Sequence, residues 1–128
     1  MTHSIRGIAA LLAAVILAAA CGGSSSATQP PAPSPPPGGA VITAKDITFD
    51  RSELRVPAGT AFPLLFENRE GVPHNIRIYG DSPDNALFTG EIFTGPASRT
   101  YQVPSIAAGR YHFRCDVHPQ MAGTVIVG

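Results

Sequence analysis

From residue 40 onward, short apolar runs alternate with polar positions and are separated by Gly, Pro, Asn and Asp. A period of two is typical of half-buried β-strands, and turn signals between short runs indicate a β-sandwich or barrel. No window has the 3.6-residue period of a helix. We therefore predict an all-β domain with eight strands, near residues 41–49, 54–56, 62–67, 75–79, 86–88, 99–103, 110–115 and 124–127.

The first 21 residues have a different pattern, because a polar start containing Arg6 leads into a continuous apolar run that ends at Cys21. The most apolar part, residues 8–17, is too short to span a bilayer, which needs roughly 20 apolar residues. The alanines that precede Cys21 are small enough for a signal peptidase to accept. We therefore predict a signal peptide over residues 1–20, with an uncleaved anchor helix as the alternative.

The residues before Cys21 resemble the lipobox of bacterial lipoproteins, in which cleavage leaves a lipid-modified cysteine as the first residue. Leu17 stands four places before Cys21, whereas the usual pattern has leucine three places before. Residues 21–39 are nearly all Gly, Ser, Pro and Ala, a composition that stays extended and packs no core. The resemblance implies a membrane-anchored, extracytoplasmic lipoprotein of the cell envelope, with a linker at 21–39 and a folded domain at 40–128.

The charge balance and the cysteine content narrow the possible functions. The chain carries nine basic and nine acidic residues. Nucleic-acid-binding domains normally carry a basic patch or stripe, so this balance gives no support to that class. If Cys21 is the lipidated residue, Cys115 is the only other thiol, and a lone thiol in an exported protein requires an explanation such as metal binding.

The segment from Cys115 to Met121 combines a thiol, an imidazole and a thioether. Alternation along the predicted strand 110–115 places Cys115 on the same face as Phe113, which should be the core face. The loop that follows then brings His118 and Met121 back toward the thiol. Such soft and borderline ligands suit copper better than magnesium or calcium.

A further ligand is available at His74, at the start of the predicted strand 75–79. In a sandwich, the end of that strand can lie beside the end of strand 110–115. Two imidazoles and a thiolate in one plane, with a weak axial thioether, define a blue-copper electron-transfer site. We therefore predict that one copper ion binds to four residues, namely His74, Cys115, His118 and Met121.

The Cys-x-x-His-x-x-Met loop, preceded by Tyr-x-Phe-x-Cys and matched by an upstream Pro-His-Asn, resembles the small cupredoxins, such as plastocyanin, pseudoazurin and amicyanin. The resemblance implies an eight-stranded Greek-key β-sandwich and a one-electron carrier that alternates between Cu(II) and Cu(I). It also implies the same four ligands. Asn75 matches the family residue that ties the two ligand loops together.

We expect electrons to enter and leave at the edge of His118, because small apolar residues flank it. These are Gly71, Val72, Pro73, Pro119 and Ala122. Such a patch suits weak, transient docking of a redox partner protein. We expect the domain to be a monomer without nucleic-acid binding or enzymatic activity.

Other functions are also compatible with these residues, and the main alternative is a copper-binding or copper-delivery protein without electron transfer. A delivery protein is expected to be rich in methionine, but Met121 is the only methionine besides the initiator. A thiol enzyme that uses Cys115 and His118 lacks an obvious third orienting group. A multicopper enzyme would have only His3 and His112 for a second site, and His112 alternates outward from the core.

Overall fold

The structure, a computed structural model, describes residues 34–128. These residues form eleven strands and no helix, which confirms the predicted all-β class. The strands are β1 (Ala40–Lys45), β2 (Thr48–Phe49), β3 (Glu53–Val56), β4 (Phe62–Asn68), β5 (Pro73–His74), β6 (Arg77–Tyr79), β7 (Ala86–Thr89), β8 (Phe93–Thr94), β9 (Ala97–Val103), β10 (Gly109–Arg114) and β11 (Ala122–Val127). Within this part of the chain, therefore, no helix could cross a membrane. The predicted signal peptide and most of the predicted linker lie outside the described residues.

The eight predicted strands are all present, and the three additional segments have local causes. A turn at Asp46 and Ile47, with φ angles of 54° and 53°, divides the first predicted strand into β1 and β2. Positive φ is unusual for a β-branched residue, so the composition of this segment did not indicate a turn. The short strand β5 precedes the strand predicted at 75–79, and β8 is a two-residue strand that pairs with β5.

Two larger sheets form the sandwich. Their strand orders are β2-β1-β4-β9 and β3-β11-β10-β6-β7. Each sheet contains one parallel pair, β1 with β4 and β3 with β11, and its other pairs are antiparallel. The strands β5 and β8 form a separate ladder in which His74 lies opposite Phe93.

Alternate side chains of both sheets fill the core, and in β4 every second residue is buried. Phe49 packs edge-to-face against Phe66 and Phe113, with ring centroids 6.4 Å and 5.4 Å apart. Aromatic pairs of this kind contribute about 0.5–1.5 kcal/mol beyond the burial of their surface. Cys115 and Met121 belong to the same buried cluster, so the core continues to the predicted ligand loop.

Gly123 in β11 occupies a position where a side chain would not fit. A Cβ there would lie 2.5 Å from the Ser52 carbonyl oxygen and would overlap the ring of Phe113. Neither neighbour is the free end of a flexible side chain. The close packing between β10 and β11 therefore requires glycine at this position.

We predict that Gly123→Ala lowers the free energy of unfolding of the metal-free protein by about 1–3 kcal/mol, the usual cost of overpacking a core. Gly71→Ala is the matched control, because a Cβ at Gly71 would meet no atom within 4 Å. Chemical denaturation of both variants measures the difference. Equal stability of the two would contradict the packing described around Gly123.

Candidate metal centre

Three potential metal ligands, His74, Cys115 and His118, converge where β10 ends. The Cys115 Sγ lies 3.7 Å from His74 Nδ1 and 3.9 Å from His118 Nδ1, and the two Nδ1 atoms are 3.1 Å apart. His74 and Cys115 are fully buried, whereas His118 is partly exposed. The structure thus brings together three of the four residues predicted as ligands.

The three donor atoms form a compact triangle in which the nitrogen–nitrogen edge is shorter than the two sulfur–nitrogen edges. The point in their plane that is equidistant from all three lies about 2.1 Å from each. This distance matches metal–nitrogen bonds of about 2.0–2.1 Å and is slightly shorter than metal–sulfur bonds of about 2.3 Å, so a metal ion would lie closer to the two nitrogens than to the sulfur. Two imidazoles and one thiolate in a plane are the strong ligands of a blue-copper site. The arrangement of these side chains therefore fits copper.

Met121 returns to the thiol through the loop that follows β10. The Cys115 amide donates to the Met121 carbonyl at 2.9 Å, and the Met121 amide donates to the His118 carbonyl at 2.9 Å. The Met121 side chain is only 2% exposed and packs in the same apolar cluster as Cys115. The backbone therefore places Met121 beside Cys115, as a fourth ligand would require.

A carboxylate on the far side of the His74 ring sets the orientation of this residue. Glu70 Oε1 lies 2.7 Å from His74 Nε2. A neutral imidazole that donates its Nε2–H to this carboxylate keeps the Nδ1 lone pair available on the side of Cys115. Metal-binding histidines usually have such a hydrogen-bond partner, which fixes the tautomer and the ring orientation. Glu70 is thus a supporting residue that the sequence analysis missed.

Glu70 is itself held by the turn between β1 and β2. The Ile47 amide donates to Glu70 Oε1 at 2.9 Å. This hydrogen bond is the main reason that the pKa of Glu70 lies below its usual value; burial opposes the change and the contact with His74 adds to it. Glu70 is therefore ionised at neutral pH and remains an acceptor for the histidine.

Asn68 organises the loop that carries Glu70 and His74. Its side-chain amide donates to the carbonyls of Val72 at 2.7 Å and Phe93 at 2.9 Å, and its Oδ1 accepts the Glu70 amide at 3.1 Å. Asn68 is 1% exposed, and these hydrogen bonds satisfy a buried polar group that would otherwise be costly. The sequence contains a signal for this role, because Asn68 is a polar residue at a position of β4 where the alternating pattern predicts a buried side chain.

Asn75 connects the two segments that carry the ligands. Its Oδ1 accepts the Asp116 amide at 2.8 Å, and its Nδ2 donates to Asp116 Oδ2 at 2.8 Å and to the Gly90 carbonyl at 3.1 Å. Asn75 follows His74 in the chain, and Asp116 follows Cys115. These hydrogen bonds therefore fix the spacing between the two ligands.

The loops that carry His74 and His118 expose several small apolar residues. Val117 is 38% exposed. The neighbouring residues of both loops are exposed or half-buried, namely Gly71, Val72, Pro73, Pro119 and Ala122. His118 is therefore the partly exposed donor, on a loop that also exposes the polar Gln120, whereas His74 is fully buried.

The other residues singled out in the sequence lie apart from this centre. His112 is exposed on the outer face of β10 and stacks on Tyr79, with ring centroids 5.5 Å apart. Cys21, the predicted lipidation site, and His3 lie outside the described residues.

Comparison with known sequences identifies the family. The family described as Cupredoxin-like domain matches residues 9–127. Amicyanin-alpha of Methylorubrum extorquens is 32% identical over 79 residues, which are 62% of this chain and 63% of that protein. Amicyanin of Paracoccus denitrificans is 28% identical over 87 residues, which are 68% of this chain and 63% of that protein. The chain thus spans slightly less than two thirds of the length of these relatives.

Solved structures agree with this result. Auracyanin from the photosynthetic bacterium Roseiflexus castenholzii has the same fold, with a TM-score of 0.64 and 21% identity over 71% of this chain and 97% of that chain. Amicyanin from Paracoccus versutus gives a TM-score of 0.55 and 26% identity over 73% and 84%. The cupredoxin fold is confirmed, and copper is the cofactor to which the family and the donor atoms point. Because sequence, fold and donor set agree, the chain belongs to the small blue-copper cupredoxins.

Proposed function

We propose that this protein binds one copper ion through His74, Cys115, His118 and Met121 and carries one electron at a time between partner proteins. The triangle of His74 Nδ1, Cys115 Sγ and His118 Nδ1, with edges of 3.1–3.9 Å, is the observation that carries the proposal. Copper supplies the one-electron chemistry by alternating between Cu(II) and Cu(I).

The surroundings of the donors support electron transfer because they hold the ligands in place. Glu70 orients His74. Asn75, the residue after His74, binds Asp116, the residue after Cys115. Buried side chains with satisfied hydrogen bonds have few alternative positions. A site with fixed ligands needs little rearrangement when the charge of the ion changes, which favours rapid exchange of an electron.

The partly exposed ring of His118 is the route that we propose for the electron. The apolar residues around it can exclude water from a small contact, and a weak, transient complex is sufficient for electron transfer. The redox partner would therefore dock on this surface, with the domain acting as a monomer and not as an enzyme. The main alternative is copper delivery without electron transfer. The complete burial of His74 and Cys115 favours retention of the ion over its release.

We further propose that residues 1–20 are a signal peptide, that Cys21 carries the lipid, and that the linker at 21–39 holds the cupredoxin domain, residues 40–128, near the membrane in the cell envelope. The start of β1 at Ala40 supports this boundary. The small residues before Cys21 and the Gly-, Ser- and Pro-rich composition after it support the lipid anchor.

The ligand assignment predicts the colour of the protein. Full-length protein in mild detergent, loaded with Cu(II), should be intensely blue because of charge transfer from the thiolate. Cys115→Ser should abolish the blue absorption, whereas His112→Gln, the control, should keep it. A blue Cys115→Ser variant, or a colourless His112→Gln variant, would show that the ligands are assigned incorrectly.

The axial position predicts a change in reduction potential. Met121→Gln should preserve copper binding but lower the potential, because an oxygen ligand stabilises Cu(II) relative to a thioether. Voltammetry of the copper-loaded protein measures this shift. An unchanged potential would mean that Met121 is not a ligand.

The membrane anchor makes a separate prediction. In a bacterial expression host given a labelled fatty acid, the full-length protein should incorporate the label and sediment with membranes. Cys21→Ala should incorporate none. Label that persists in the variant would contradict lipidation at Cys21.

A further inference from the structure

Asp116 places a carboxylate directly after the proposed copper ligand Cys115. Its side chain is only 18% exposed, and Arg77 Nε lies 2.8 Å from its Oδ1 and 3.1 Å from its Oδ2. Asn75 Nδ2 donates to the same carboxylate at 2.8 Å. The carboxylate is therefore tied both to a cation and to the residue that follows His74.

A second arginine approaches the carboxylate. Arg77 in β6 and Arg114 in β10 are directly opposite each other in the sheet, a position in which like charges repel. Arg114 Nε is buried, makes no hydrogen bond within residues 34–128, and lies 3.6 Å from Asp116 Oδ1. Asp116 therefore reduces the repulsion between two arginines that the register of β6 and β10 brings together.

Arg77 also has a fixed position. Its Nη1 donates to the Pro83 carbonyl at 3.1 Å, and its side chain is 26% exposed. Partly buried ion pairs are screened by salt less than pairs on the open surface. The charges of Arg77 and Asp116 should therefore affect a neighbouring metal ion, and their effects have opposite signs.

We propose that Asp116 and Arg77 are positioning residues that tune the reduction potential of the centre. The ion pair holds Asp116, whose backbone amide and carboxylate both bind Asn75, and the arginine offsets the negative charge that Asp116 places next to Cys115 in the chain. This inference rests on the proposed copper function. It adds to that function a pair of residues that lie outside the proposed set of ligands and are separated by 39 positions in the chain.

The charge effect has a definite sign for each residue. A carboxylate near the ion stabilises Cu(II), so Asp116→Asn, which retains an oxygen acceptor for Asn75, should raise the potential. Arg77→Gln leaves the carboxylate without its main cation and should lower the potential. Arg77→Lys restores the charge and should recover most of the shift. The double variant should lie closer to the wild type than either single variant.

The experiment is voltammetry of copper-loaded full-length protein at one neutral pH and low salt, with Asp81→Asn as the control. Asp81 is exposed in the turn between β6 and β7, so loss of its charge should shift the potential less than Asp116→Asn does. High salt should reduce the effect of Asp81→Asn more than that of Asp116→Asn. Shifts of the same sign in Asp116→Asn and Arg77→Gln, or shifts no larger than that of the control, would overturn the proposal.

Unfolding of the metal-free protein gives a readout that does not depend on copper. A double-mutant cycle over Asp116→Asn and Arg77→Gln should give a favourable coupling between the two residues, because each single variant leaves a partly buried charge without its partner. No coupling would overturn the ion pair as a positioning contact. A wild-type protein that binds copper but is not blue would contradict the proposed function. If the wild type is blue but Asp116→Asn and Arg77→Gln have the same potential, only the proposed tuning is contradicted.

Discussion

The metal centre depends on the hydrogen bonds that join Asn75 to Asp116. These residues are 41 positions apart, and each follows a proposed ligand in the chain. Two hydrogen bonds, both 2.8 Å long, set the spacing of the backbones and with it the distance between His74 and Cys115. Without this contact, the two ligand segments would still be joined by the pairing of β6 with β10 and by the ion pair of Arg77 and Asp116, but no hydrogen bond would connect the residues that directly follow the two ligands.

The core and the metal centre form one continuous packing unit. Phe113 and Cys115 lie on the same face at the end of β10, and Met121 closes the cluster from the other side of the loop. Burial in this region removes polar groups from water, which is costly unless each one has a partner. His74 and Asn68 meet this requirement through Glu70 and through backbone carbonyls. The hydrogen bonds that support the ligands are therefore also a condition for the stability of the fold.

The sequence was informative where a local pattern determines the result. Alternation located the eight main strands, and the spacing of Cys115, His118 and Met121 indicated a metal loop because few other functions combine these side chains. Asn75 was found only through the resemblance to cupredoxins. Local patterns could not indicate the turn at Ile47, because this turn requires an unusual positive φ. They could not indicate the two-residue strand β8 either, because it is defined only by its pairing with β5.

The contacts around the ligands were not predictable, because their partners are chosen by the tertiary fold. Nothing near Glu70 in the sequence shows that it will accept hydrogen bonds from both Ile47 and His74. Likewise, Arg77 and Asp116 meet only because β6 and β10 are neighbours in one sheet. The sequence shows that Asp116 follows Cys115, but it does not show that Arg77 balances the charge of Asp116.

These contacts make the two sides of the proposed copper centre different. On one side, His74 is fully buried and its outer nitrogen faces Glu70, while the ion pair of Arg77 and Asp116 closes the strand end beside Cys115. On the other side, His118 is partly exposed, on a loop that also exposes Val117 and Pro119. Electronic coupling falls steeply with distance, so the redox partner that we propose would gain most from contact at the exposed ring. Under this proposal, the closed side adjusts the energy of the electron without taking part in docking, so substitutions there are expected to alter the potential while leaving the partner surface unchanged.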